Sequence, residues 1–193
     1  MNIHHLLLIA LTLLSCNSPH TPTYQEGLDR CTERVKMYQE AHPGRIALSS
    51  QDCIVGSALP EFTAQTLSGH IIDHHYFVGK ISIINFWFET CAPCVAEIPI
   101  LDRLVKKYGK EKFNYLAFGR DTEADITAFL KDHPWKFEQV RDGANIYDSI
   151  FQRKWGYPTT FVADQKGVII AAFGGIDEKR EGELERVLDS TMK

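Results

Sequence analysis

The segment Ile81–Phe88, ISIINFWF, is almost continuously apolar and rich in β-branched and aromatic residues. Such a run predicts a strand buried on both faces, which needs neighbouring strands on either side and helices above and below. Just beyond it, Cys91 and Cys94 flank Ala92-Pro93, and from there apolar residues recur at helical spacing to Tyr108, before Gly109. The cysteine pair therefore sits on a strand-to-helix corner of a layered α/β domain. Three uses of such a pair compete: a working redox couple, a structural staple, or half of a metal site.

The rest of the chain supplies the neighbours. Glu61–Leu67 and Ile71–Ile72, joined at Ser68-Gly69, predict a short hairpin. Phe113–Phe118 is the strand after the cysteine helix. Thr122 with Asp125 opens a helix that runs through about Asp132, with Pro134 closing it. A weak strand at Phe137–Val140 and a helix near Asn145–Lys154 come next. Thr159–Ala163 and Val168–Phe173 form a second hairpin, and a last helix over about Lys179–Thr191 turns Leu184, Val187 and Leu188 inward. The order is β-α-β, then α-β-α, then β-β-α. It predicts parallel strands with a right-handed crossover plus an antiparallel closing hairpin, hence an α/β fold with a central mixed β-sheet flanked by helices.

The N-terminus bears on where such a domain works. Leu6 to Leu14 is apolar except for Thr12, too short to span a bilayer but right for the core of an export signal. It ends in Leu13-Leu14-Ser15-Cys16, which resembles a bacterial lipobox with Cys16 as the lipidated residue, although His4 and His5 stand where export signals carry Lys or Arg. Residues 1–16 are thus expected to be a lipoprotein-type signal peptide, 17–55 a tether plus helical extension, and 56–193 the main domain. Within the extension, Leu28, Cys31, Val35 and Tyr38 predict a helix over 24–41, ended by Pro43-Gly44. It has too little apolar surface to stand alone.

With Cys16 set aside, four of the five cysteines remain. An exported chain sits where disulfides persist, so Cys91–Cys94 and Cys31–Cys53 are the expected pairs. A Cys31–Cys53 bridge would pin the helical extension to the chain that leads into the main domain and contribute about 3 kcal/mol by loop entropy. The alternative is that Cys31 or Cys53 exchanges with the other pair, yet neither lies in a motif that activates a thiol. A net charge of −4 with no basic patch excludes nucleic acid as a partner.

The corner position has a chemical consequence. A helix N-terminus offers unpaired N–H groups and the positive end of its dipole, and both stabilise a thiolate. Cys91 is accordingly the expected nucleophile, with a lowered pKa. Cys94, one turn further in, can resolve a mixed disulfide between Cys91 and a substrate. Pro93 suits the first turn, where no N–H partner is lost.

These residues resemble the thioredoxin superfamily, and more closely its TlpA/ResA-like branch of membrane-tethered thiol-disulfide oxidoreductases. The matching segments are Asn85-Phe86-Trp87, Cys91-Ala92-Pro93-Cys94, Glu97-Ile98-Pro99, Gly156-Tyr157-Pro158-Thr159-Thr160-Phe161, and the lead-ins Leu59-Pro60-Glu61-Phe62 and Gly79-Lys80. The resemblance covers about 56–193 and implies a thioredoxin-like fold with an N-terminal β-hairpin and a central helix-strand insertion. It implies a cis Pro158 beside the cysteine pair, with Tyr157 presenting its backbone to an extended substrate. It implies Glu97 as the acid that aids proton transfer, with a pKa raised by burial. Trp87 and Thr90 fall on the implied substrate surface, where Thr90 replaces a second tryptophan of thioredoxin. Asn85 stands where thioredoxin has an acid, which strengthens the case for Glu97. The implied substrates are protein thiols and disulfides, the implied partner is a membrane electron donor, and no cofactor or metal is expected.

Other readings are weaker. Zinc would need two more ligands at ribbon or finger spacing, and Cys31 and Cys53 do not supply them. His70, His74 and His75 cluster before the central strand but are expected to be solvated loop residues. Haem attachment needs a histidine at 95, where Val95 stands. A peroxiredoxin-like peroxidase has a threonine three residues before its cysteine, and here that residue is Phe88. A binding lipoprotein with a permanent disulfide would not need Pro158 and Glu97 beside the pair, and a copper metallochaperone has a wider cysteine spacing with a histidine nearby on the chain.

Overall fold

The computed structural model describes residues 20–47 and 50–192; Cys16 and the expected signal peptide lie outside the described residues. The elements, in chain order, are α1 (Tyr24–Ala41), a 3-10 turn (Gln51–Ile54), β1 (Ala64–Gln65), β2 (Ile71–Ile72), α2 (His74–Phe77), β3 (Ile81–Trp87), α3 (Ala92–Tyr108), β4 (Phe113–Gly119), α4 (Glu123–Asp132), β5 (Glu138–Val140), α5 (Gly143–Asn145, continued by a wide turn over Ile146–Ile150), β6 (Thr159–Ala163), β7 (Ile169–Phe173) and α6 (Glu178–Thr191).

The main sheet runs β5-β4-β3-β6-β7. β3, β4 and β5 are parallel, while β6 and β7 are antiparallel to their neighbours. Every residue of β3 is buried, and period-two alternation divides them between two cores. Ile81, Ile83 and Trp87 join Leu101 and Leu104 of α3 and Leu184 and Leu188 of α6. Ile84 and Phe86 join Phe118, Phe161, Phe151 and the α1 residues Tyr24, Leu28 and Cys31.

Both sheet edges are covered, which removes exposed pairing groups. Leu67 donates its N–H to Gln139 and Arg141 donates to Gln65, so the chain around β1 lies along β5. On the other side Gly56 donates to Ile169, Ile169 to Ser57, and Leu59 to Gly167, so the segment after the 3-10 turn lies along β7.

Three differences from the sequence expectations have local causes. The inner stripe of α1 stops at Cys31, and Tyr38 is 40% exposed. Its first two turns are held by a Thr23–Glu26 capping box and by Gly27, which packs against Ser57 and Ile54 too closely for any side chain. The expected helix over 145–154 begins and ends earlier, because Gly143 packs on the Gly119 backbone and anchors the turn there. His74 and His75 are on a short helix capped by Asp73 rather than a loop, and His70 Nδ1 lies 2.8 Å from Glu138 Oε2.

Candidate active site

β3 ends at Trp87, and α3 begins at Ala92 with Cys91 as its N-cap. A cysteine in that position turns its sulfur to the free N–H groups of the first turn, and Cys91 Sγ accepts the Cys94 N–H at 3.3 Å. Cys91 and Cys94 are joined as a disulfide with their Cα atoms 5.2 Å apart. Cys91 is 5% exposed and Cys94 fully enclosed. Any partner thus meets Cys91 first.

Glu97 lies one turn beyond Cys94 on the same helix face. It is 1% exposed, and both carboxylate oxygens are occupied. Asn85 Nδ2 donates to Oε1 at 2.6 Å and the Ile176 N–H donates to Oε2 at 2.8 Å. The second Asn85 N–H goes to Thr160 Oγ1 at 2.9 Å. Burial pushes the Glu97 pKa up to about 7, against the opposing pull of the Ile176 and Asn85 hydrogen bonds. Glu97 also lines a groove of about 560 Å3 with Pro93, Gly174, Gly175 and Ile176.

The third component arrives on β6. The Tyr157–Pro158 peptide bond is cis, and Pro158 packs against Gly175. The loop before it is held from below: the Tyr147 hydroxyl donates to the carbonyls of Trp155 at 2.9 Å and Gly156 at 3.2 Å, and its ring stacks on Phe86 at 4.0 Å. Tyr157 is half-buried and meets Phe88 edge-on at 5.3 Å.

Most of the expected site residues converge, with one correction. Cys91, Cys94, Glu97 and Thr90 are on the corner or on α3, and Tyr157 and Pro158 line the adjoining loop. Trp87, expected on the substrate surface, is fully enclosed. Its place in the β3 alternation turns it beneath the site, where its indole N–H donates to Gln139 at 3.2 Å and its ring packs on Phe129 and Trp135. Cys31 and Cys53 form their own disulfide at a Cα separation of 5.2 Å. Two contributors escape a reading of the sequence. Ile176 acts through a backbone N–H, which leaves no trace in residue type beyond the preceding Gly174-Gly175; Tyr147 is marked only as a polar aromatic in an otherwise apolar stripe.

A family model described as the AhpC/TSA family matches residues 55–172. The chain is 31% identical to the thioredoxin-like protein YneN of Bacillus subtilis over 138 residues, 69% of this chain and 79% of that one. It is 30% identical to the thiol-disulfide oxidoreductase ResA of Bacillus thuringiensis over 139 residues, 69% of this chain and 76% of that one. Among solved structures it resembles the thioredoxin domain of a thiol-disulfide oxidoreductase from Bacteroides vulgatus, with a TM-score of 0.60 at 22% identity over 68% of this chain and 96% of that one. A thiol:disulfide interchange protein from Chlorobium tepidum gives a TM-score of 0.56 at 21% identity, over 70% and 96%. The fold is thioredoxin-like.

Proposed function

The chain belongs to the AhpC/TSA family and is a thiol-disulfide oxidoreductase, and on that footing we propose that it reduces protein disulfides outside the cytoplasm through the Cys91–Cys94 pair. The observation that carries this reading is the stripe Cys91, Cys94, Glu97: the less enclosed sulfur at a helix N-cap, a fully enclosed sulfur behind it, and a buried carboxyl with a pKa of about 7 one turn further.

Exchange starts from the reduced pair. The Cys91 thiolate, stabilised by the first-turn N–H groups, attacks one sulfur of a substrate disulfide and the other leaves as a thiolate. Cys94 then loses its proton to the Glu97 carboxylate and attacks Cys91, and the second substrate sulfur departs. The substrate gains two electrons and Cys91–Cys94 becomes the disulfide. Tyr157, Pro158 and Thr90 form the surface on which the substrate segment docks, with backbone pairing along Tyr157. Phe88 three residues before Cys91, where a peroxidase of this broad family has threonine, favours disulfide exchange over peroxide reduction.

The apolar stretch ending at Cys16 supports export and lipid anchoring, and a membrane donor of electrons would return the pair to the dithiol. Among the described residues no helix is long and apolar enough to cross a membrane.

The test combines the midpoint potential of Cys91–Cys94, insulin-disulfide reduction, and trapping with Cys94→Ser. Expected are a pair that dithiothreitol reduces, turnover of insulin, and mixed disulfides that accumulate on the variant. A pair that neither reduces nor exchanges overturns the reading.

A further inference from the structure

Arg120 directly succeeds the last residue of β4, and its backbone N–H donates to the Trp87 carbonyl at 2.9 Å, which fixes it beside the strand-to-helix corner. Its guanidinium carbon lies 5.4 Å from the centroid of the Phe88 ring. Phe88 in turn meets Tyr157 at 5.3 Å, and its carbonyl accepts the Cys91 N–H at 3.1 Å. A continuous wall therefore runs from Arg120 across Phe88 to Tyr157, alongside the reactive cysteine.

The cation in this wall is uncommitted. Among the described residues its guanidinium pairs with no carboxylate, whereas the nearby Arg141 is matched to Glu123 at 3.6 Å and Arg153 to Asp148 at 3.0 Å. The Asp121 carboxylate beside it accepts the Glu89 backbone N–H at 2.7 Å. A guanidinium lying over a ring spends its face on the contact and leaves its in-plane N–H donors at the edge. Those donors match a carboxylate in the bidentate manner.

We propose that Arg120 is a specificity-determining residue, selecting polypeptide disulfides that carry an Asp or Glu beside the reacting cysteine. The proposal rests on the disulfide-exchange reading above. A substrate strand paired along Tyr157 with its cysteine at Cys91 lays its flanking side chain on the Phe88 wall, toward Arg120. The chain carries a net charge of −4, so an acidic substrate gains nothing from long-range attraction. The preference comes from local contact and is read in KM.

The experiment uses peptides with an internal disulfide that differ only in the residue beside the attacked cysteine, Asp, Asn or Lys. For the parent protein kcat/KM should favour Asp over Asn by roughly fivefold, the upper range for a partly exposed ion pair. In Arg120→Gln that ratio should fall to about one through KM, in Arg120→Glu it should invert toward Lys, and Arg120→Lys should keep only part of it. The midpoint potential of the pair, measured on each variant, should stay at the parent's value. An Asp-to-Asn ratio near one in the parent, or one that survives in Arg120→Gln and Arg120→Glu, overturns the proposal. Turnover of the neutral hydroxyethyl disulfide by the parent separates the two failures: if that is also absent, the exchange reading itself has failed.

Discussion

Asn85 on β3 donates to Glu97 on α3 at 2.6 Å, and this contact ties the central strand to the helix that carries the cysteines. The amide gives both of its N–H groups away, one to Glu97 and one to Thr160, while its Oδ1 is buried with no partner among the described residues. That pattern favours a charged acceptor. An ionised carboxylate only accepts, whereas a protonated one must place a proton somewhere.

Replacing Asn85 by Ala should therefore raise the Glu97 pKa above its value of about 7. A hydrogen bond to a charged group is worth about 1.5–3 kcal/mol, so the rise should be about one unit or more. Carbon-13 NMR of the labelled carboxyl reads it directly, and the pH profile of insulin reduction should move to higher pH with it. A titration that stays put or moves down would show that the Asn85 contact does not favour the charged form.

Glu97 should also make stability depend on pH. In the folded chain it keeps its proton up to about pH 7, against about 4.3 for an unfolded glutamate. Between those values the folded state binds more protons, so stability is greatest below the unfolded pKa and falls as pH rises through the folded one. The loss is on the order of 3 kcal/mol. Glu97→Gln has no proton to lose, and once the Asn85 amide turns over, the new N–H donates to Asn85 Oδ1 while the remaining oxygen keeps the Ile176 N–H. Its Tm relative to the parent should climb between about pH 5 and pH 8, while exchange slows by about 10²-fold, the low end for a positioned acid–base group. A parent that gains stability on the variant over that span contradicts the sign.

How much of this was legible depends on what kind of group makes each contact. The strand-to-helix corner is legible because ISIINFWF is short, apolar and rich in β-branched and aromatic residues, as a doubly buried strand is, and helical spacing begins at about Cys91; that Cys91 is the N-cap comes from the structure. Glu97 is legible only through the resemblance to the TlpA/ResA-like branch, since a lone glutamate on a helix is otherwise an ordinary surface residue. Its partners were not equally so: Ile176 contributes a backbone N–H that any residue type could supply. The resemblance puts Trp87 on the substrate surface, but strand alternation turns it inward, a geometric fact that a matched motif does not reveal. Tyr38 fell on the apolar stripe of α1, yet only tertiary packing decides how far along a helix the stripe is used.

Two glycines should respond to alanine with opposite signs. A Cβ on Gly143 would lie 2.6 Å from the Gly119 carbonyl oxygen and 2.8 Å from its nitrogen, backbone atoms that cannot yield easily. Gly143→Ala should cost about 2 kcal/mol as an overpacking change. Gly182 is exposed inside α6 with nothing near its missing Cβ, and Gly182→Ala should add about 0.5–1 kcal/mol. Urea denaturation of both variants checks the pair; equal effects would mean that local packing around Gly143 relaxes freely.

The Cys31–Cys53 bridge should matter for stability and leave the exchange chemistry alone. It closes a loop across 22 positions and joins α1 to the 3-10 turn. From that turn Gln51 reaches Gly174, on the loop that leads to Ile176. The α1 residues Tyr24 and Leu28 remain packed in the core without the bridge, and the Tyr24 hydroxyl still donates to the Phe151 carbonyl. Cys31→Ala with Cys53→Ala should therefore lower the unfolding free energy by about 3 kcal/mol, the loop-entropy value, without unfolding the domain at room temperature. Insulin reduction by the double variant should stay within about twofold of the parent, since neither sulfur takes part in the exchange. A loss of turnover well beyond the loss of folded protein would instead make Cys31–Cys53 a second station for electrons. Mass spectrometry of the acid-quenched parent during turnover would then find that bridge opened.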